Sequence, residues 1–150
     1  GAFLSRAATA IGAQVTVIEP HEGRHAYHEN VMRTPGADLF DVSIVAVGSV
    51  QAYREALAHL NPRGRLVVFS GLSKQEAGQM IDFNRMHYEE KTIVGAYGCS
   101  YRHGRQALEW IQSGKVPVSD LISHQMPLHE LGRALELVRN RSGMKILLYP

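Results

Sequence analysis

Apolar and polar positions divide the chain into alternating helical and extended stretches. Residues 2–11 place apolar side chains almost all round, broken mainly by Ser5 and Arg6. That pattern predicts a helix buried over most of its surface, with Gly12 ending it in the left-handed C′ position. Residues 15–18 are a short β-branched run without polar alternation, as in a parallel strand covered on both faces, and Pro20 stops it. Residues 21–34 are polar and predict a helix that carries His21, His25 and His28 and breaks at Pro35-Gly36.

The alternation continues downstream. Residues 42–47 predict a buried strand closed by Gly48-Ser49, and residues 50–60 an amphipathic helix ending at Asn61-Pro62. A strand at 65–69 runs into Ser70-Gly71. After a looser segment around Gly78, a strand at 91–94 runs into Gly95 and Gly98. Residues 103–112 predict a helix with Ala107, Leu108 and Ile111 inward, stopped by Ser113-Gly114. An extended, proline-punctuated stretch at 116–128, a helix at 129–140 and a strand at 144–149 complete the chain. The expected fold is α/β, a mainly parallel, doubly wound sheet with helices on both faces.

Three predicted strands end in small-residue turns, and the carboxyl edge of a parallel sheet is where ligands bind, because tight turns and helix amino termini approach them closely. Glu19 adds a second signal. A carboxylate at the carboxyl end of a strand that follows a helix can accept both ribose hydroxyls of a dinucleotide, and it repels a 2′-phosphate. Composition narrows the remaining classes. Sixteen Lys and Arg are scattered among fourteen acids for a net charge of +2, so no basic block points to nucleic acid. No apolar run has the roughly 18–20 residues that span a bilayer, and no signal core opens the chain, so a cytoplasmic location is expected. The single Cys99 excludes an intrachain disulfide and a multi-thiolate zinc site made by these residues alone. A serine-hydrolase elbow, G-x-S-x-G, is absent. His21, His25 and His28 have spacings that would share one helix face and could hold a metal, but no carboxylate or thiolate is fixed beside them by a known motif, so a polar helix face is the favoured reading and no metal site is expected.

Taken together, Gly12-Ala-Gln-Val-Thr-Val-Ile-Glu19, Asp41-Val-Ser-Ile-Val-Ala-Val-Gly-Ser49, Gly64-Arg-Leu-Val-Val-Phe-Ser-Gly71, Ile81-Asp-Phe-Asn-Arg-Met-His-Tyr88 and Leu121-Ile-Ser-His-Gln-Met-Pro-Leu128 resemble the carboxyl-terminal half of zinc-dependent medium-chain dehydrogenases of the sorbitol and polyol type. The resemblance covers nearly the whole chain, and its Asp-Phe-Asn piece also resembles threonine dehydrogenases. It implies a Rossmann-like cofactor domain over residues 1–115 and a segment over 116–150 that in the family packs back on the catalytic domain. Two departures stand out. The first strand with its fingerprint glycines and the zinc-bearing catalytic domain would precede Gly1. A third strand with its crossover helix would follow Gly36-Ala-Asp38, where only three residues lead to the next strand. The remaining strands are therefore expected to leave a gap or to pair in an altered way.

The resemblance also implies roles. Glu19 would hold the adenosine ribose of NAD, Arg24 would lie near the adenosine, and Gly1 would match the third fingerprint glycine. Val47, Gly48 and Ser49 would pass under the cofactor's ribose, Ser70, Gly71 and Leu72 would face the nicotinamide, and Ala96, Tyr97 and Gly98 would lie near its carboxamide. Lys145 would approach the pyrophosphate. The implied reaction is NAD-dependent oxidation of a secondary alcohol on a small alcohol or polyol, with zinc held outside these residues polarising the substrate and hydride passing to nicotinamide. No catalytic residue is expected in this chain, which by itself would be inactive. A homo-oligomer is expected, formed through the strand at 91–94. Alternatives are a truncated nucleotide-binding or oligomerisation module without catalysis and, less favoured, a binder of S-adenosylmethionine through Glu19.

Overall fold

The computed structural model describes all 150 residues, which form two compact units: Gly1–Arg33 with Tyr101–Pro150, and Thr34–Ser100. Every strand pairing in both is parallel, in a Rossmann-like α/β arrangement.

The unit of residues 34–100 runs β3 (Phe40–Val45), α2 (Val50–Ala58), β4 (Leu60–Val68), α3 (Phe83–Tyr88), β5 (Thr92–Gly95), with strands in the order β3-β4-β5. The apolar face of α2 lies on one side of this sheet, where Ala52, Tyr53, Ala56 and Leu57 pack on buried Val45, Leu60 and Leu66. The opposite face is open. Val42 and Ile44 point away from α2 and are 54% and 42% exposed, so the expected burial of this strand on both faces is corrected to one covered face. The strand also ends at Val45, two residues early, because Ser49 caps α2 and turns the chain: its hydroxyl accepts the Ala52 amide at 3.3 Å. Asn61-Pro62 does not separate helix from strand as expected. Helix α2 stops at Ala58, and residues 61–64 bulge out of β4 between its pairings Phe40↔Leu60 and Val42↔Arg65.

The other unit contains α1 (Ala2–Ala10), β1 (Val17–Ile18), β2 (Val31–Met32), α4 (Tyr101–Gln112), β6 (Ile122–Pro127), α5 (Leu131–Arg139) and β7 (Lys145–Tyr149). Strands β6 and β7 pair in parallel across α5, a βαβ crossover; Gly12, at φ +91°, ends α1 as expected. Four expectations are corrected here. Residues 21–34 form a 3-10 helix over Glu22–Tyr27 and then β2, which pairs in parallel with β1, about a dozen residues being the minimum for such a crossover. Strand β1 is two residues long, with Ile18 exposed, because β2 offers only two partners. Among the residues of α1 only Ala2 is buried, since so short a ladder cannot cover a helix. On α4, Ala107, Leu108 and Ile111 are exposed, and Trp110 alone is half-buried, because no neighbouring element covers that apolar face. Arg6 holds this unit together: its guanidinium donates both to the two carboxylate oxygens of Asp120, at 2.6 and 2.5 Å, and to the carbonyls of Pro117 and Tyr27 at 2.6 and 3.4 Å.

Candidate functional site

In the unit of residues 34–100 the parallel register brings the carboxyl ends of three strands to one edge, with Val45 opposite Val68 and Val68 opposite Gly95. The turns that follow extend this ladder: the Ser70 amide donates to the Val45 carbonyl at 3.1 Å and the Ala96 amide to the Val68 carbonyl at 3.0 Å. Two of the three turns touch. A Cβ on Gly48 would stand 2.7 Å from the Gly71 carbonyl oxygen, so this position requires glycine. The Tyr53 hydroxyl, on α2, donates to the Ser70 carbonyl and braces the same contact. Val47 and Tyr97 are exposed, Ser49, Ser70 and Leu72 half-buried, and Gly98 needs its left-handed φ of +66°. The edge is therefore lined by backbone and small side chains, with the nine-residue α2 starting from it, an arrangement that admits a flat, polar ligand close to main chain.

In the other unit Glu19 follows β1 directly and its amide continues the ladder to Met32 at 2.9 Å. Its Oε1 accepts the His21 amide at 2.9 Å, which leaves the second oxygen for a ligand. His25 Nε2 lies 2.7 Å from the Glu19 carbonyl; a carbonyl only accepts, so this nitrogen carries the proton. The His28 ring stands 3.4 Å from the Ser5 hydroxyl. The histidines thus serve separate contacts, and the shared face imagined for an α-helix does not form on a 3-10 turn. No three His, Cys, Asp or Glu side chains of this chain come together in a metal-holding group. Glu19, Arg24 and Lys145 each come within electrostatic range of Gly1. A Cβ on Gly1 would meet only the His28 ring, at an ordinary 3.6 Å. Lys145 also sits over the Phe3 ring at 5.3 Å.

The sequence profile of zinc-binding dehydrogenases matches residues 1–113. This chain belongs to the zinc-binding dehydrogenase family. The zinc-binding dehydrogenase chain is 30% identical over 121 residues to sorbitol dehydrogenase of Bombyx mori, covering 81% of itself and 33% of that protein. To L-threonine 3-dehydrogenase of Sinorhizobium medicae it is 26% identical over 121 residues, covering 79% and 34%. It spans about a third of the length of these curated relatives. Its fold matches benzyl alcohol dehydrogenase from Acinetobacter calcoaceticus with a TM-score of 0.85 at 18% identity, over 99% of this chain and 46% of that one. A thermostable alcohol dehydrogenase from Pyrobaculum aerophilum gives 0.84 at 20% identity, over 100% and 46%.

Two residues of this zinc-binding dehydrogenase chain escaped the sequence reading. Tyr53 lies on the apolar face of a helix, where a tyrosine reads as core. Arg141 follows α5 at φ +54°, in a position where glycine is the usual signal.

Proposed function

We propose that this chain is the NAD-holding part of a zinc-dependent alcohol or polyol dehydrogenase, sorbitol-like and from the carboxyl-terminal half. Residues 1–115 act as the cofactor domain, and residues 116–150 belong to the segment that returns to the catalytic domain. The observation that carries the reading is the edge at which Gly48 meets Gly71: a Cβ-free contact between two strand-end turns leaves main chain bare for a cofactor ring or sugar. NAD, when bound, supplies the hydride acceptor of its nicotinamide.

The chain's own residues bind and orient. The free oxygen of Glu19 accepts ribose hydroxyls, Arg24 flanks the adenosine, and Lys145 offsets pyrophosphate charge, with Gly1 beside them. Val47, Gly48 and Ser49 support a ribose. Ser70, Gly71 and Leu72 face the nicotinamide, and Ala96, Tyr97 and Gly98 its carboxamide. None of these side chains is assigned a proton-transfer role, so the substrate alcohol and its zinc are handled by other residues. The uncovered edge of β5, which pairs only with β4, is the surface assigned to a homo-oligomer.

Titration of the chain with NADH, followed by nicotinamide fluorescence, tests the reading. Saturable binding that Glu19→Ala weakens is the expected result, without turnover when zinc and a polyol panel are added. Absence of NADH binding overturns it.

A further inference from the structure

Strands β6 and β7 do not pair evenly. Ile122 stands opposite Lys145 and His124 opposite Ile146, so Ser123 is an extra residue that bulges out of β6. Its side chain fills the place that the ladder loses. The hydroxyl lies 3.0 Å from the Met144 amide, 3.1 Å from the Lys145 carbonyl and 3.0 Å from His124 Nδ1. A hydroxyl has one proton to give and two lone pairs to receive with. The carbonyl only accepts, so the proton goes to Lys145, while Met144 donates its amide hydrogen and His124 donates from a protonated Nδ1. All three positions on the oxygen are then used.

A glycine and an aromatic ring complete the arrangement. A Cβ on Gly143 would stand 2.6 Å from the Ser123 hydroxyl and 3.0 Å from His124 Nδ1, and the hydroxyl could yield only by giving up its bonds. Lys145, the first residue of β7, is therefore held at its own carbonyl and at the amide of the residue before it. Its ammonium reaches α1, 5.3 Å from the centre of the Phe3 ring. Backbone at one end and ammonium at the other fix the direction of the side chain. Bulges are a general means of aiming one side chain at a site.

We infer that Ser123 is a positioning residue for Lys145, holding its ammonium at the pyrophosphate of a bound dinucleotide without touching the ligand itself. The inference rests on the nucleotide reading above, in which Lys145 offsets pyrophosphate charge. Lys145 is exposed, and an exposed lysine is a point charge on a flexible four-carbon stem. Rotamer freedom removed before binding is not lost when the anion arrives. Ser123 acts at the backbone root of that stem and Phe3 near its tip. A neutral ligand without phosphates gains nothing from this arrangement.

The test uses NADH titrations followed by nicotinamide fluorescence, and displacement of NADH by adenosine, which carries no phosphate. Four chains are compared: unaltered, Ser123→Ala, Lys145→Met and the two substitutions combined, with far-UV circular dichroism verifying each fold. The expected result is a loss of at least about threefold in NADH affinity on Ser123→Ala, with no matching loss for adenosine. Made beside Lys145→Met, the same substitution is expected to weaken NADH by less than about threefold, because its effect runs through the lysine. Should Ser123→Ala not fold, Gly143→Ala, whose methyl group displaces the same hydroxyl, takes its place. A smaller loss for NADH, an equal loss for adenosine, or an equal loss beside Lys145→Met overturns the role of Ser123 alone. Failure of the unaltered chain to bind NADH overturns the nucleotide reading.

Discussion

The two units of this chain are held together by different physics. Residues 34–100 rest on an apolar patch, with Val45, Leu60 and Leu66 buried beneath α2. The unit of residues 1–33 and 101–150 buries Ala2, Val116, Leu121, Met126 and Ala134, and also ties α1 to the segment before β6 through the Arg6 fork. An apolar patch is non-directional and tolerates shape changes, while a charged fork fixes one geometry. The first unit therefore presents turns to a ligand from a packed base, and the second presents charges held by charges.

That contrast can be broken, most severely at the patch. Leu60→Ala, at a side chain 1% exposed, is expected to cost about 2–5 kcal/mol in urea denaturation, with residues 34–100 losing cooperativity first. A cost under about 1 kcal/mol would show that the patch is not the main support. Arg6→Ala comes next, at about 1–2 kcal/mol, because it strips charge-assisted bonds from the Pro117 and Tyr27 carbonyls as well as from Asp120. Amide chemical shifts should change in residues 1–33 and 117–121 and hold in residues 34–100; spread into the latter would contradict the division.

The smallest effect is pH dependence. Burial holds His28 below its ordinary value near 6.5. The folded state thus favours the neutral ring, and the unfolded chain binds the proton more readily. The resulting stability is full above pH 6.5 and declines as pH falls through the folded value, by a fraction of a kcal/mol at this partly exposed site. Asp120 beside Arg6, and Glu89 and Glu90 beside their cations, are also held low. Their contributions are lost only in the carboxylate range, so a decline between pH 6.5 and 5 that His28→Gln abolishes isolates the unit of residues 1–33 and 101–150. An unchanged decline in that variant would sink the assignment.

The order of elements was readable wherever a hydrophobic period was long enough to form a ladder or a packed face. Strand β3, helix α2, strand β4 and strand β5 with their small-residue turns, and β6, α5 and β7, all follow from such periods. Strand β2 was hidden because Val31 and Met32 are two apolar residues in a polar stretch, and their ladder depends on β1. Burial was read too generously for α1 and α4, since an apolar face states only what a helix can cover, whereas exposure depends on what lies against it. At the candidate site, the turns were visible as glycine and serine after strands. The Tyr53 brace and the left-handed Arg141 were not, because both depend on backbone geometry that side-chain patterns do not encode.

The contact between Gly48 and the Gly71 carbonyl has a mechanical consequence. With no side chain between them and the Tyr53 hydroxyl fastened to the neighbouring Ser70 carbonyl, the two turns have no room to slide independently. A push on one is transmitted to the other through packed main chain, so a group seated at either turn adjusts the pair as one rigid jaw.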